Sequence, residues 1–448
     1  MASVAGLFQS AGFRVTGSDA KCYPPMSTML AEMAIPILEG FDAAHLAPRP
    51  DLVIIGNVCT AANPEARAAI DGGIPYRSMP HAVAEYLCHD RFPIMAVGTH
   101  GKTTTSSLLA WILESAGRSP SFLIGGIPKN FGRNFQLGRG REFVIEGDEY
   151  DTAFFEKTPK FLHYPARAVI LGPVEFDHAD IYADLDAVLS AFRTLIRQLP
   201  TDALLIAAAD SAHVESLMAE ARCPCIPFRL SDATQIVIGA MGTTFTWHGT
   251  SYHSPLAGHH NLQNTIGVIT LLEALGLSPA AMMHGLAAFA GVRRRQEILG
   301  EIGGVTVIDD FAHHPTAIRE TLAALRHKFP GQRLLVAFEP RSNTSGREIF
   351  RAEYRTAFRD ATRVVFAPVF KADRIPPSEQ LHLPQLIGDL QREGTAAAVH
   401  DTPAAICDDL LAHVRSGDVI VVMSNGDFGG LHGQLLARLR KPSSCHHG

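Results

Sequence analysis

The sequence predicts an α/β protein of three domains built on parallel sheets, and three observations carry that prediction. The chain has 448 residues, more than one hydrophobic core usually serves. Short apolar strands alternate with helical stretches, and the alternation starts afresh near residues 92 and 297. The apolar run Pro93-Ile94-Met95-Ala96-Val97 passes through Gly98-Thr99-His100-Gly101-Lys102-Thr103-Thr104-Thr105 into the helical stretch Ser106 to Leu113. A strand, a glycine turn and a helix in that order make the geometry of a phosphate cradle. The expected domains are 1–91, 92–296 and 297–448.

Composition narrows the class. With 46% hydrophobic and 19% charged residues, the chain reads as an ordinary globular protein. A net charge of −6 and a pI near 6.4 argue against a nucleic-acid partner held by bulk electrostatics. No apolar run reaches the length of a membrane span, and the first twenty residues lack a basic start followed by a long apolar segment. The seven cysteines are odd in number and scattered, apart from Cys223-Pro-Cys225, which has no second pair at zinc-finger spacing. A cytoplasmic protein without a membrane partner is expected.

In the N-terminal segment, strands are expected at Arg14–Asp19, Leu52–Asn57 and Gly73–Tyr76, forming a small parallel α/β domain. The chain opens on the helix-like stretch Met1–Phe8, whereas a parallel nucleotide-binding unit starts with a strand and a glycine turn. Either that first strand is supplied otherwise, or the true start lies upstream. The middle segment carries strands near 143–145, 168–171 and 203–206 and helices near 184–198, 211–220, 260–275 and 279–289. The last segment carries strands near 305–308, 333–338, 363–367, 396–399 and 418–422, with helices between and after them.

The chemistry-bearing residues follow strand ends. In the cradle, backbone N–H groups and the helix dipole favour a polyphosphate, with Lys102 on the β- and γ-phosphates and the Thr103 hydroxyl as a magnesium ligand. The spacing is shorter than that of the common GxxxxGK[ST] pattern. Glu146-Gly147-Asp148-Glu149-Tyr150-Asp151 puts four carboxylates after strand 143–145. Taken alone it is equally a solvated acidic loop, but beside the cradle strand Glu146 becomes a metal ligand. Phe176-Asp177-His178-Ala179-Asp180 follows strand 168–171 in the same way, and the carboxyl-end rule for parallel sheets puts all three loops on one rim. His178 is therefore the candidate for a second magnesium ion.

Three further stretches suit nucleotide and phosphate contacts. Asn261 and Asn264 lie three residues apart at a helix start, where they either read an adenine edge or cap the helix. Arg293-Arg294-Arg295 is either a solvated patch or a charge cluster that neutralises transferring phosphoryl oxygens at the second domain join. Asp309-Asp310-Phe311-Ala312-His313-His314-Pro315 combines carboxylates and imidazoles before a Pro-capped helix, and is read as a ribose or substrate contact or as plain capping.

In this order and spacing, Gly-Thr-His-Gly-Lys-Thr-Thr-Thr, Glu-x-Asp-Glu-x-Asp, Asp-His-x-Asp, His-Asn-x-x-Asn, the arginines at the second join and Asp-Asp-x-x-His-His-Pro-Thr resemble the muramyl ligase family over essentially the whole chain. The resemblance implies a Rossmann-like UDP-sugar-binding domain, here with its first strand missing, a central P-loop ATPase-type sheet, and a C-terminal Rossmann-like domain for the incoming amine. It also implies the reaction: ATP phosphorylates a carboxylate, the amine attacks the acyl phosphate, and a tetrahedral intermediate loses phosphate to leave an amide. By this resemblance Gly98, Thr99, His100, Gly101, Lys102, Thr103 and Thr104 hold ATP. Thr103 and Glu146 hold one magnesium ion, and Glu146 and His178 hold the other. Asn261 and Asn264 face the adenine, Asp309 or Asp310 reaches the ribose, Arg294 meets phosphoryl charge, and His313 and His314 lie close to the reacting groups.

Some relatives carry a carbamylated lysine shortly after the metal histidine. Residues 179–200 contain no lysine, which places the chain nearer the muramate–alanine ligase branch. Within it, Asp19–Ser27, Phe338–Thr344 and Met423–Gly430 look like members that join UDP-N-acetylmuramate to L-alanyl-γ-D-glutamyl-meso-diaminopimelate during wall recycling. Ser18, Asp19 and Asn57 are the implied UDP-sugar contacts, and Arg341, Asn343 and Asn425 the implied peptide contacts, with a surface ion pair as the other reading of Arg341. The alternative is the same reaction on L-alanine, and a third reading is a nucleotide-binding regulator or carrier without catalysis. A monomer or weak homo-oligomer is expected.

Overall fold

A computed structural model describes residues 1–440. Two compact units emerge, the first comprising Met1–Phe176, Ala183–Arg229 and Asn264–Phe289, the second Asp177–Tyr182, Leu230–Gln263 and the described residues from Ala290 to Arg440.

The first unit is built on a seven-stranded sheet. Its order runs Cys225–Phe228, Leu204–Ala208, Ala168–Leu171, Phe92–Val97, Glu142–Glu146, Ser121–Leu123 and Phe135–Gln136, all parallel except the last. The cradle strand Phe92–Val97 is central, which explains its unbroken apolar sequence: a strand covered on both faces has no use for polar alternation. Ile94, Met95, Ala96 and Val97 are all essentially buried. The following helix, Lys102–Ser115, buries residues on every side, including Leu108, Leu109, Ile112 and Leu113, so it lacks the apolar stripe of a surface helix. Helix Leu185–Gln198 is the opposite case: Val188, Leu189, Phe192, Leu195 and Ile196 form one buried face, and the Asp184 carboxylate accepts the Ala187 N–H at 2.9 Å as its N-cap.

Residues before the cradle form two separate parallel pairs, Gly17–Asp19 with Ile37–Glu39 and Val53–Ile55 with Tyr76–Ser78, rather than one continuous sheet. Each strand is only three residues long and mostly half-buried. The strand expected at Gly73–Tyr76 begins later, because Gly73 (φ +64°) belongs to the turn that ends helix Pro64–Asp71. The opening stretch is a helix, Ala2–Ser10, as expected.

The second unit holds a six-stranded sheet in the order Glu297–Ile302, Val305–Asp310, Val419–Met423, Leu334–Phe338, Arg363–Phe366, Ala396–Val399, antiparallel only at its first edge. It also carries an antiparallel three-stranded sheet, Thr234–Gly239, Gly242–Trp247 and Thr250–Ser254. Neither that sheet nor the edge strand Glu297–Ile302 was among the expected elements, since both hide in half-polar sequence. Among the described residues, no helix is long and apolar enough to cross a membrane.

Candidate active site

The cradle is set by two glycines. Gly98 has φ +130° and Gly101 φ +82°, conformations that side-chain-bearing residues rarely adopt. A Cβ on Gly98 would sit 3.0 Å from the Pro173 carbonyl, and one on Gly101 would run into the Asn264 amide. The loop is pinned from the neighbouring strand: Gly172 N–H donates to Val97 O, Thr99 N–H to Pro173 O, and Thr99 Oγ1 both donates to Glu175 O and accepts from Glu175 N–H. His100 Nε2 lies 3.0 Å from Glu175 Oε2. The loops following strands Phe92–Val97, Glu142–Glu146 and Ala168–Leu171 therefore share the carboxyl edge of the sheet, as the carboxyl-end rule predicts.

Lys102 donates from Nζ to Gly98 O (2.8 Å), Thr99 O (3.1 Å) and Glu149 Oε1 (2.8 Å). Burial works against its charge, but Glu149, then Glu146 and Asp148, more than offset this and lift its pKa above the ordinary value. Its charged form is thus favoured in a half-buried place, which is what a phosphate-binding lysine requires. Thr103 Oγ1 donates to Glu146 Oε1 at 2.7 Å, and the other Glu146 oxygen accepts from Gly125 N–H at 2.6 Å. Asp148 is engaged as well: desolvation opposes its charge, but pairing with Lys160 Nζ at 2.7 Å holds its carboxyl below the usual range. This is no solvated acidic loop.

In the second unit, strand Val305–Asp310 delivers two carboxylates that behave differently. Asp310 accepts Gln296 N–H (2.7 Å), Ala312 N–H (2.8 Å) and Thr321 Oγ1 (3.4 Å), and burial pushes its pKa up. Asp309 Oδ2 lies 3.5 Å from Arg294 Nε, and Oδ1 3.1 Å from His432 Nε2. Arg294, in the left-handed region at φ +60°, also donates to Ser424 O and Gly426 O at 2.5 and 2.6 Å and lies over the Phe311 ring. His313 is half-buried, with Nδ1 3.0 Å from Phe311 O. Burial is the main cause of its lowered pKa, opposed by Asp177. His314 caps helix Pro315–Lys328 through the Thr316 N–H, so the capping reading holds for that side chain.

His178 (φ +58°) belongs to this unit, in a turn where Ala179 N–H donates to Thr344 Oγ1 (3.2 Å) and Asp180 accepts from Asn343 Nδ2 (2.9 Å). Arg341 lies over the Phe370 ring at 4.0 Å and pairs with Glu339 (3.2 Å) and Asp427 (3.5 Å), while Ser424 Oγ donates to the second Glu339 oxygen at 2.5 Å. Asn425 keeps a buried side-chain oxygen without a hydrogen-bond partner. Asn261 and Asn264 are both buried on helix His259–Ala274, and Asn261 Nδ2 donates back to Ala257 O at 2.8 Å. In the N-terminal region, Ser18 Oγ donates to Glu65 Oε1 at 2.9 Å, and Asn57 is exposed; Asp19 is exposed and caps Lys21 N–H.

Glu149, Glu175, Gly125 and Glu339 were missed as site residues. Glu149 and Glu339 stood inside quoted motifs and are polar residues next to strand ends, which was a usable signal. Gly125 had none, since only the sheet order brings it to Glu146.

Known proteins resemble this chain along its whole length. Three family models match in succession: "Mur ligase family, catalytic domain" over residues 1–91, "Mur ligase middle domain" over 97–272, and "Mur ligase, glutamate ligase domain" over 294–426. The chain is 38% identical to the UDP-N-acetylmuramate–L-alanyl-γ-D-glutamyl-meso-2,6-diaminoheptandioate ligase of Escherichia coli, covering 99% of this chain and 97% of that one. It is 32% identical to the UDP-N-acetylmuramate–L-alanine ligase of Variovorax paradoxus, covering 97% and 92%. The crystal structure of a murein peptide ligase from Psychrobacter arcticus superposes with a TM-score of 0.73 at 34% identity, covering 99% and 97%.

Proposed function

This chain belongs to the Mur ligase family, and from that premise we infer that it is an ATP-dependent ligase joining the carboxylate of UDP-N-acetylmuramate to the amine of L-alanyl-γ-D-glutamyl-meso-diaminopimelate, in the recycling of cell-wall peptides. One observation carries the reading: a full-length relative of that name at 38% identity, on a chain whose cradle keeps a Lys102–Glu149 ion pair and a Thr103–Glu146 pair.

The chemistry asks for charge control. A carboxylate is a poor electrophile because oxide is a poor leaving group, whereas its acyl phosphate offers a good one. Lys102 neutralises the γ-phosphoryl oxygens as ATP displaces its present hydrogen bonds to the loop carbonyls, and Glu149 keeps it charged throughout. The donor set of Thr103 and Glu146, a hydroxyl and a carboxylate, fits a hard cation, and a Cβ on Gly125 would crowd that carboxylate to 3.1 Å. Thr103 and Glu146 would hold one magnesium ion and His178 a second, which would supply Lewis-acid stabilisation of phosphoryl charge. Asp309, with oxygens less fully committed than those of Asp310, is the ribose contact; Asn261 and Asn264 face the adenine.

His313 donates Nδ1–H to Phe311 O, which leaves Nε2 with a lone pair to receive the proton of the attacking amine. Arg294 meets developing negative charge. Arg341 and Asn425 bind the peptide, whose extra carboxylates and amine match a guanidinium and an unmatched amide oxygen. Ser18, Asp19 and Asn57 serve the UDP-sugar, and the domain division at 91 and 297 is retained.

The test is ADP release with UDP-N-acetylmuramate and either acceptor. Turnover is expected with the tripeptide and not with L-alanine; efficient turnover with L-alanine alone would replace this reading by the alanine ligase.

A further inference from the structure

A second cluster of ligating side chains, sharing no residue with the cradle, lies in the first unit. His81 comes from helix Met79–Leu87, Glu156 opens strand Glu156–Pro159, and His163 ends the 3-10 turn Lys160–His163. One ligating atom of each lies within 4.8 Å of the others. His81 Nδ1 is 3.1 Å from Glu156 Oε2, and His163 Nδ1 is 4.0 Å from Glu156 Oε1. The two imidazole rings lie 4.3 Å apart between centroids, with their planes tilted by 59°. Nothing in the ligase chemistry uses them.

We propose that His81, Glu156 and His163 bind one divalent transition ion of the zinc type, with solvent as the fourth ligand. Ligands around a tetrahedral zinc with bonds of about 2.0–2.1 Å stand roughly 3.4 Å apart. His81 is already about that far from one Glu156 oxygen, while His163 stands farther from the other, so closure on an ion draws His163 inward.

Three features support a built site. His163 Nε2 meets Thr158 Oγ1 at 2.8 Å, which turns the lone pair of Nδ1 toward Glu156 and is the outer-shell partner that ligating histidines keep. The backbone of Glu156 is fixed by pairing with Ala153 across its hairpin, and Thr152 Oγ1 donates to the Glu156 carbonyl. The cluster also opens onto a cleft lined by Tyr76, Arg77, Ser78 and Phe155, which gives an ion a path in and room for a water ligand.

The cost of metal binding at His81 is offset locally. Its Nδ1 now meets Ser78 Oγ at 3.0 Å, and Ser78 is the N-cap of this helix with no side-chain capping bond. With Pro80 at the second helical position, the only amide within capping reach is His81 N–H, and a Ser78 hydroxyl released by the metal is free to take it. Two imidazoles and a carboxylate select zinc, cobalt or nickel over magnesium, so the site is chemically distinct from the one proposed for the nucleotide. Its effect is to tie the helix to the hairpin.

The full-length protein is stripped with chelator and titrated with zinc chloride by calorimetry, with thermal melting and the cobalt(II) absorption spectrum as second readouts. The sequence also carries Cys445-His446-His447, so the titration is repeated in C445S/H446A/H447A. The expected result is one ion per chain in both proteins and a melting temperature raised by a few degrees. The cobalt spectrum should show tetrahedral bands without thiolate charge transfer. His163→Gln and Glu156→Gln should each weaken binding at least about tenfold. Absence of stoichiometric binding, loss of binding with the tail substitutions, or a thiolate band in the wild-type spectrum would each overturn the proposal, and none of these depends on a ligand variant folding. Unchanged affinity in folded His163→Gln would overturn it as well.

Discussion

At the scale of single residues, the site is a set of charges kept in place by named partners. Lys102→Ala should lower ADP release on the order of 10²–10³-fold, the usual loss when one donor to developing phosphoryl or oxyanion charge is removed; the steady-state rate with tripeptide checks it. The same variant leaves Glu149, 2% exposed, without its lysine, so urea melts should show K102A/E149Q more stable than K102A. The two aspartates of strand Val305–Asp310 should separate. Asp309→Asn is expected to raise the KM for ATP about tenfold, the size of one charged hydrogen bond. Asp310→Asn, which disturbs carboxylate bonds to the Gln296 and Ala312 amides, should instead lower stability by about 1–3 kcal/mol. Comparing KM with the unfolding midpoint in both variants decides it. That Glu149 is the lysine's partner was not legible in sequence, because four acids in six residues look alike until burial sorts them.

At the scale of elements, the strand–turn–helix of the cradle depends on backbone conformation more than on side chains. Gly101→Ala places a Cβ at φ +82° and against Asn264, a backbone penalty of about 1–2 kcal/mol before any steric cost. Thermal melting and nucleotide titration should both register the loss, and an unchanged ATP affinity would remove Gly101 from the cradle. A second element-level contact joins strand Arg363–Phe366 to helix Pro403–His413: Arg363 meets both Asp409 oxygens at 2.6 and 2.7 Å, and His400 Nε2 approaches at 2.8 Å. Burial would raise the Asp409 pKa, but Arg363 and His400 override it and hold it below the ordinary carboxylate value. A depressed folded pKa contributes stability above the unfolded value of about 3.9, lost as pH falls through the folded one. Asp409→Asn should therefore cost stability at pH 7, on the order of 3 kcal/mol, and show a shallower loss than the wild type as pH falls below about 4. Most of these elements could be read from sequence periodicity. The strand Glu297–Ile302 and the sheet spanning Thr234–Ser254 could not, because edge and solvent-facing strands alternate too weakly.

At the scale of the whole molecule, the acyl-phosphate route makes a prediction independent of any one residue. UDP-N-acetylmuramate labelled with ¹⁸O in its carboxylate should pass one labelled oxygen to the released phosphate, read by mass spectrometry. Unlabelled phosphate would rule out the route while leaving the nucleotide cradle intact. The route needs ATP, a carboxylate and an amine to be served by one chain, and three successive family matches along it accord with that division of labour.

The sequence by itself determined the fold class, the cradle and the family. Buried parallel strands, glycine turns and the order of motifs are local signals, written in contiguous residues such as Pro93–Thr105. Only the tertiary structure decided which carboxylate serves which partner: Glu146 for Thr103, Glu149 for Lys102, Asp310 for backbone amides and Asp309 for Arg294. It alone brought His81, Glu156 and His163 together across more than eighty residues of chain. The physical reason is that burial, charge pairing and ligand geometry depend on strand order and packing, and neither is encoded at any single position.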